Sequence, residues 1–210
     1  MPRRPYRHLA TSVAGFVQQL AIAYICRGYY YYSASVIPEE KDPVLVDAKL
    51  IARYGVDCSK WERARRKRAG QANVQYLRYG RFQVLVATKG TGRFFEDEPF
   101  DDFRRRPLYF AGYSISCKMD RQGEAWHPHV RFSRRQMSEL KAFLMEVGVR
   151  RDVVSLGRFF ATLDVEPYAP VVDQLFELLR LVNHIRAPIG LEPVPDSFLR
   201  LRRRVLRPFD

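Results

Sequence analysis

The sequence NVQYLRYGRFQVLVATKG, residues 73–90, decides the fold class. Two runs rich in β-branched and aromatic residues flank Gly80, and this arrangement predicts a β-hairpin. Further along the chain, PLYFAGYSISCKM (107–119) predicts one strand, and WHPHVRF (126–132) predicts the strand that returns beside it. The aromatic run GYYYYSASVIP (28–38) adds another strand. We therefore predict a mainly antiparallel sheet of about five strands.

Helical segments precede and follow these strands. The stretch LATSVAGFVQQLAIAYIC (9–26) carries apolar residues at helical spacing and predicts one amphipathic helix. Asp42, Ser59 and Ser133 are capping residues, and each is followed by a helix-forming run. Apolar stripes predict two more helices, over roughly 153–163 and 170–187.

The order of these elements indicates the fold class and the domains. Strands and helices do not alternate in a long βαβ series, so a doubly wound parallel sheet is disfavoured. We predict an α+β fold in which helices cover the sheet and the C-terminal part is helical. The predicted segments are an α+β core over 1–152 with the basic helix 60–69, a helical subdomain over 153–197, and a basic tail over 198–210.

The charge of the chain is strongly clustered. The 210 residues include 36 Lys+Arg and 23 Asp+Glu, which gives a net charge of +13. Residues 1–8, 59–70 and 198–210 carry +12 of this total, so the rest of the chain is almost neutral. Apolar residues make up 47% of the chain, which excludes intrinsic disorder and provides a core. The clusters predict a polyanionic partner.

The basic helix is the first candidate site. Trp61 and the alanines are its only expected apolar anchors, so the helix is predicted to lie on the surface. Arginine and lysine contacts to phosphate supply affinity by releasing counterions, whereas the alternative is a helix that is merely solvated. We predict a nucleic-acid-binding protein, with DNA favoured over RNA. The predicted phosphate contacts are Lys60, Arg63, Arg65, Arg66, Lys67, Arg68, Arg131, Arg202, Arg203 and Arg204.

The motif Trp126-His-Pro-His-Val-Arg-Phe132 supplies an enzymatic alternative. Side chains at i and i+2 of a strand share one face, so His127 and His129 can bind one divalent metal such as Mg²⁺ or Mn²⁺. The motif resembles the His-hydrophobic-His strand of HUH-type nucleases, in which a tyrosine attacks the phosphodiester. The resemblance implies a metal-dependent single-strand endonuclease with catalytic His127 and His129 and a tyrosine nucleophile. Tyr168 is the candidate nucleophile, because it lies downstream near a predicted helix start. It also suggests a role in replication, recombination or a mobile element.

A third interpretation is a structural subunit of a ribonucleoprotein complex. In that case the 170–187 helix docks a protein partner, and the basic clusters bind RNA. The tyrosines of 29–32, with Tyr76 and Tyr79, could stack on unpaired bases. Tyrosine also packs well in half-buried strands, and we prefer this explanation for most of them.

Other features argue against a membrane and against secretion. The apolar run 9–26 is short and is interrupted by Gln18 and Gln19, so it does not predict a spanning helix. The three cysteines have no zinc-site spacing and cannot all pair, which indicates a reducing compartment. We therefore predict a cytoplasmic protein without a membrane partner. The segment 89–92, KGTG, follows a strand but lacks the ending of a P-loop.

Overall fold

A computed structural model describes residues 6–163, 168–199, 201 and 207–209. The chain is α+β, as predicted, with 46% helix and 21% strand. The α-helices are α1 (Val13–Gln18), α2 (Pro43–Tyr54), α3 (Lys60–Arg68), α4 (Arg93–Asp97), α5 (Arg134–Val147), α6 (Val153–Thr162) and α7 (Ala169–Arg186). The strands are β1 (Tyr31–Val36), β2 (Val74–Tyr79), β3 (Phe82–Ala87), β4 (Asp101–Asp102), β5 (Leu108–Phe110), β6 (Tyr113–Met119) and β7 (Trp126–Phe132).

The predicted hairpin forms the centre of a four-stranded antiparallel sheet. Strands β2 and β3 pair from Val74 opposite Ala87 to Tyr79 opposite Phe82. Gly80 in the turn has φ 56°, a left-handed conformation that glycine adopts without strain. The sheet order is β2-β3-β1-β4, so β1 pairs with β3, the second strand of the hairpin. Side chains of β2 and β3 pack into a core cluster with Tyr54 and Phe94.

The prediction of one strand over 107–119 is wrong, because this segment forms two strands, β5 and β6. Ala111 has φ 45° and Gly112 has φ 83°, so the chain reverses between the two strands. Two consecutive left-handed residues are typical of tight hairpin turns, but alanine is unusual at such a position. The second sheet has the order β5-β6-β7, and the described strands therefore form two antiparallel sheets instead of one sheet of about five strands.

The single amphipathic helix predicted over 9–26 is also interrupted. Helix α1 ends at Gln18, and a π-helical segment follows over Gln19–Tyr24. A 3-10 turn over Ile25–Arg27 then leads to Gly28 at φ 88°. A π-helix has a wider turn than an α-helix and occurs frequently at functional sites.

Helices α2, α3 and α5 begin where their capping residues predict. The Asp42 carboxylate accepts a hydrogen bond from the Val44 amide in α2. Ser59 Oγ accepts from the Glu62 amide at 3.1 Å, and this bond begins α3. Ser133 caps α5 in the same way. These local signals are confirmed.

The chain divides into two compact units. The first comprises Met1–Leu108, Ile115–Pro128 and Leu206–Asp210, and the second comprises Tyr109–Ser114 and His129–Val205. The four-stranded sheet and α3 belong to the first unit, whereas α5, α6 and α7 belong to the second. The boundary predicted between 152 and 153 lies inside the second unit. Among the described helices, none combines the length and the hydropathy needed to cross a membrane.

Candidate nucleic-acid interface

Helix α3 lies on the surface of the first unit, as its composition predicts. None of its residues is buried. A salt bridge of 3.0 Å joins Arg66 to Glu62 one turn earlier, and Arg66 Nη1 also donates to the Gly55 carbonyl oxygen at 3.1 Å. Arg66 therefore attaches α3 to the end of α2. The other cations of α3 lie on two further faces of the helix.

A second face of α3 lines a cleft of about 960 Å³ in the first unit. Lys60, Arg63 and Lys67 lie at i, i+3 and i+7, a spacing that places them along one side of a helix. The described residues of the cleft wall include six cations and a single carboxylate, that of Asp57. The six cations are Arg7, Arg27, Lys60, Arg63, Lys67 and Lys89. This excess of positive charge makes the cleft suited to a polyanion.

Neutral polar side chains also line the cleft. Gln19 and Tyr24 reach it from the π-helical segment, and Tyr6 and Tyr29 lie beside them. The Tyr6 hydroxyl is 2.7 Å from the Tyr76 carbonyl oxygen and 3.5 Å from the Tyr24 hydroxyl. Burial raises the pKa of the Tyr6, Tyr24 and Tyr29 phenols. These phenols stay neutral near pH 7, so they add no negative charge to the cleft.

Asn73 connects α3 to the sheet at the edge of the cleft. Its Nδ2 donates to the Arg63 carbonyl oxygen at 3.1 Å, and its backbone amide donates to Thr88 Oγ1 at 2.9 Å. The residue is buried, and its Oδ1 accepts no hydrogen bond from the part of the chain that the structure describes. Buried polar atoms usually have a partner, so this oxygen is an unused acceptor in the cleft wall.

The loop that carries Lys89 is fixed against the segment following α3. Thr91 donates its amide to the Gly70 carbonyl and accepts from the Ala72 amide at 2.9 Å. Gly90 has φ 151°, and a Cβ there would lie 2.5 Å from the Ala72 nitrogen. The close approach requires glycine, and it holds Lys89 at the end of the cleft near the C-terminus of α3.

The third face of α3 carries Arg65 and Arg68, both exposed. Between them in the helical projection lies Trp61, whose side chain is 75% exposed. The expectation that Trp61 anchors the helix is therefore wrong. Trp61 shares its face of α3 with the exposed Arg65 and Arg68, and the Lys60 ammonium lies 5.1 Å from the centre of its ring.

The remaining predicted phosphate contacts are not part of this cleft. Arg131 belongs to the second unit, where it is half-buried and lines a smaller depression with Arg134 and Lys141. The tail residues Arg202, Arg203 and Arg204 lie outside the described residues.

The residues predicted for nuclease chemistry lie on β7 and just before α7. His127 is exposed, with Nε2 3.7 Å from an Asp120 carboxylate oxygen, and it belongs to the first unit. His129 belongs to the second unit. Tyr168 precedes α7 and is 8% exposed. Within the described residues, no three His, Cys, Asp or Glu side chains form a group that could hold a metal ion. The metal-dependent nuclease stays a hypothesis.

The tyrosines and the helix 170–187 have structural contacts. Tyr32 and Tyr76 are buried in the first unit, as expected for strand packing. The apolar stripe of α7 is buried within the second unit, and a protein partner docked by this helix stays a prediction. The stripe consists of Val171, Leu175, Leu178, Leu179 and Val182.

Comparisons with known proteins add no relative: no protein-family model matches the chain, and neither a curated protein nor a solved structure is detectably similar to it.

The α3 cations could be predicted from the sequence, but the other cations of the cleft could not. Arg7, Arg27 and Lys89 come from three distant segments, and only the fold brings them into one cleft. Arg7 lies in the basic N-terminal cluster, which was a usable signal. Arg27 and Lys89 are isolated cations, and their positions in the sequence do not distinguish them from other surface residues.

Proposed function

We propose that this protein binds nucleic acid, with DNA favoured over RNA, and that the phosphate backbone lies in the cationic cleft along α3. The observation that carries the proposal is the convergence of six cations with one carboxylate on the described walls of a single cleft. Isolated surface cations are common, but a concave surface of one sign concentrates the field and attracts a polyanion.

The arrangement of the cleft supports phosphate contacts of two kinds. Arg63 Nη1 donates to the Cys58 carbonyl oxygen at 2.7 Å, and its Nε and Nη2 can bind phosphate oxygens in a pair, while Lys60 and Lys67 act as point charges. Neutral polar side chains that line the cleft, such as Gln19, can bind sugars or base edges. The proposal keeps Arg65, Arg66, Arg68 and Arg131 as further phosphate contacts. It also keeps the tail arginines Arg202, Arg203 and Arg204, which lie outside the described residues.

The salt dependence of binding tests the proposal. We expect the K60Q/K67Q variant to bind a labelled DNA oligonucleotide more weakly at low salt, because two phosphate contacts are lost. The slope of log K against log salt should become shallower by about 1.4–1.8. Fluorescence anisotropy over a series of NaCl concentrations measures both quantities.

The matched control is K49Q/K118Q, which removes the same charge from exposed positions of the first unit outside the cleft. This variant should retain the wild-type slope. An unchanged slope in K60Q/K67Q would exclude the cleft from the interface, and tighter binding of RNA of the same sequence would reassign the partner. The absence of binding at low salt would end the proposal.

We also propose the cytoplasm as the compartment, which is supported by three free thiols, Cys26, Cys58 and Cys117. A role in replication, recombination or a mobile element remains a hypothesis associated with the His127 motif.

A further inference from the structure

Trp61 occupies an unusual position for a tryptophan. Its side chain is 75% exposed, and the arginines at i+4 and i+7, Arg65 and Arg68, share its face of α3 and are also exposed. Packing in the first unit therefore does not explain why a tryptophan occupies this position. A large aromatic surface flanked by cations is the combination that binds nucleic-acid bases by stacking beside their phosphates.

The face of Trp61 adjoins the face that lines the cleft. With 3.6 residues per turn, the centres of the two faces are about 130° apart around the α3 axis. Lys60 lies between them, because it lines the cleft while its ammonium lies 5.1 Å from the centre of the Trp61 ring. One flexible strand could therefore contact the cleft and then pass over Lys60 to the indole.

The size of the cleft indicates what kind of strand fits. Its volume of about 960 Å³ is in the range of pockets that enclose small ligands, and this is room for a few nucleotides of one strand. In a duplex, each base is already covered by its neighbours, so an exposed indole could stack only by kinking the helix. An unpaired strand offers its base faces without that cost.

We infer that the ligand of this protein is an unpaired strand, one of whose bases stacks on Trp61 while Lys60, Arg63 and Lys67 hold its phosphates. The inference rests on the proposed function and specifies its substrate class. Trp61 is a binding residue in this arrangement, and the arginines of its face hold the phosphates that flank the stacked base.

Tryptophan fluorescence tests this inference directly. The chain has two tryptophans, so the W126F variant reports on Trp61 alone. We expect a thymine-only DNA oligonucleotide to quench this fluorescence, and a duplex of equal length to bind more weakly without quenching. An abasic oligonucleotide with the same backbone should bind through its phosphates and leave the fluorescence unchanged.

Affinities of Trp61 variants complete the test. We expect W61A to bind the thymine oligonucleotide roughly 5- to 150-fold more weakly and the abasic one equally well, while W61F retains most of the affinity. Because the side chain is exposed, circular dichroism should show that W61A is folded. Tight duplex binding that is indifferent to W61A would overturn the inference and leave the cleft proposal intact; Trp61 would then be assigned to a protein contact. Failure of every oligonucleotide to bind at low salt would overturn both.

Discussion

Asp47 is the residue on which the polar interior of the first unit depends. It is 4% exposed on α2, and Arg78 binds both of its carboxylate oxygens, with Nη2 2.7 Å from Oδ2. Tyr76 donates to Oδ1 at 2.6 Å, and a His8 ring nitrogen lies 2.8 Å from Oδ2. Burial raises the pKa of Asp47, but the hydrogen bonds from His8, Arg78 and Tyr76 outweigh it and lower the pKa to about 2.

We expect D47N to lower the free energy of unfolding at pH 7 by about 3–5 kcal/mol, because the buried Arg78 loses its counter-charge. The folded-state pKa of Asp47 lies below its unfolded value, so its stabilisation is present above about pH 4 and is lost as the pH falls toward 2. The difference in the free energy of unfolding between wild type and D47N should therefore become smaller as the pH falls from about 4 toward 2. Urea unfolding at several pH values measures it.

D173N is the control for this prediction, since Asp173 is exposed on α7. Its effect should stay within about 0.5 kcal/mol at every pH. A difference between wild type and D47N that is small, or that grows on acidification, would contradict the assignment of Asp47 as the stabilising carboxylate.

At the scale of elements, the helix caps and the β2–β3 hairpin could be predicted from the sequence, because their signals lie within a few residues. Ser59 and Gly80 act through local hydrogen bonds and local backbone angles. The turn at Ala111 could not be predicted, because alanine gives no signal for a left-handed conformation that the strand pairing imposes. The π-helical segment, Gln19–Tyr24, could not be predicted either, because its sequence is also compatible with an α-helix.

Arg186 shows how two elements of the second unit depend on each other. It is 2% exposed near the end of α7, and its guanidinium donates to the carbonyl oxygens of Gly148, Arg151 and Glu192 at 2.6–2.9 Å. Gly148 follows the last residue of α5, so Arg186 caps the carbonyl end of that helix. A cation at this end also interacts favourably with the helix dipole.

We expect R186M to destabilise the second unit by roughly 3 kcal/mol, because several carbonyl groups lose a charged donor while the side-chain volume is nearly kept. R186K should lose less stability than R186M, because the ammonium keeps a charged donor. It should still be less stable than wild type, because one ammonium cannot reach all of these oxygens. Urea unfolding followed by circular dichroism measures the loss.

R180M is the matched control, because Arg180 lies on the exposed side of the same helix. A loss of stability in R180M equal to that in R186M would point to a general effect of helix charge instead of the carbonyl contacts.

At the scale of the whole molecule, the chain combines a net charge of +13 with a cleft that concentrates part of it. The total charge and the α3 cluster could be read from the sequence. The cleft could not, because Arg7, Arg27 and Lys89 meet the helix only through tertiary packing. The same concentration of charge that attracts a polyanion also repels itself, and this couples stability to binding.

We therefore expect K60Q/K67Q to be more stable than wild type in the absence of nucleic acid, by about 0.5 kcal/mol at low salt, because like charges near Arg63 are removed. Added NaCl should raise the Tm of wild type more than that of the variant, since it screens the repulsion. Both tryptophans belong to the first unit, so their fluorescence follows its thermal unfolding.

The K49Q/K118Q control should be closer than K60Q/K67Q to wild type, both in its stability at low salt and in the rise of its Tm with NaCl. A lower Tm for K60Q/K67Q at low salt would mean that Lys60 and Lys67 stabilise the fold, contrary to the role given to them here.

The contact at Gly90 restricts how this sequence can evolve. Every amino-acid replacement of a glycine adds a Cβ, and at this position the space is already filled by the backbone of 70–72. A point mutation there would separate the Lys89 loop from the segment after α3 without touching any group that could contact a ligand. Lineages that keep the cleft should therefore keep Gly90.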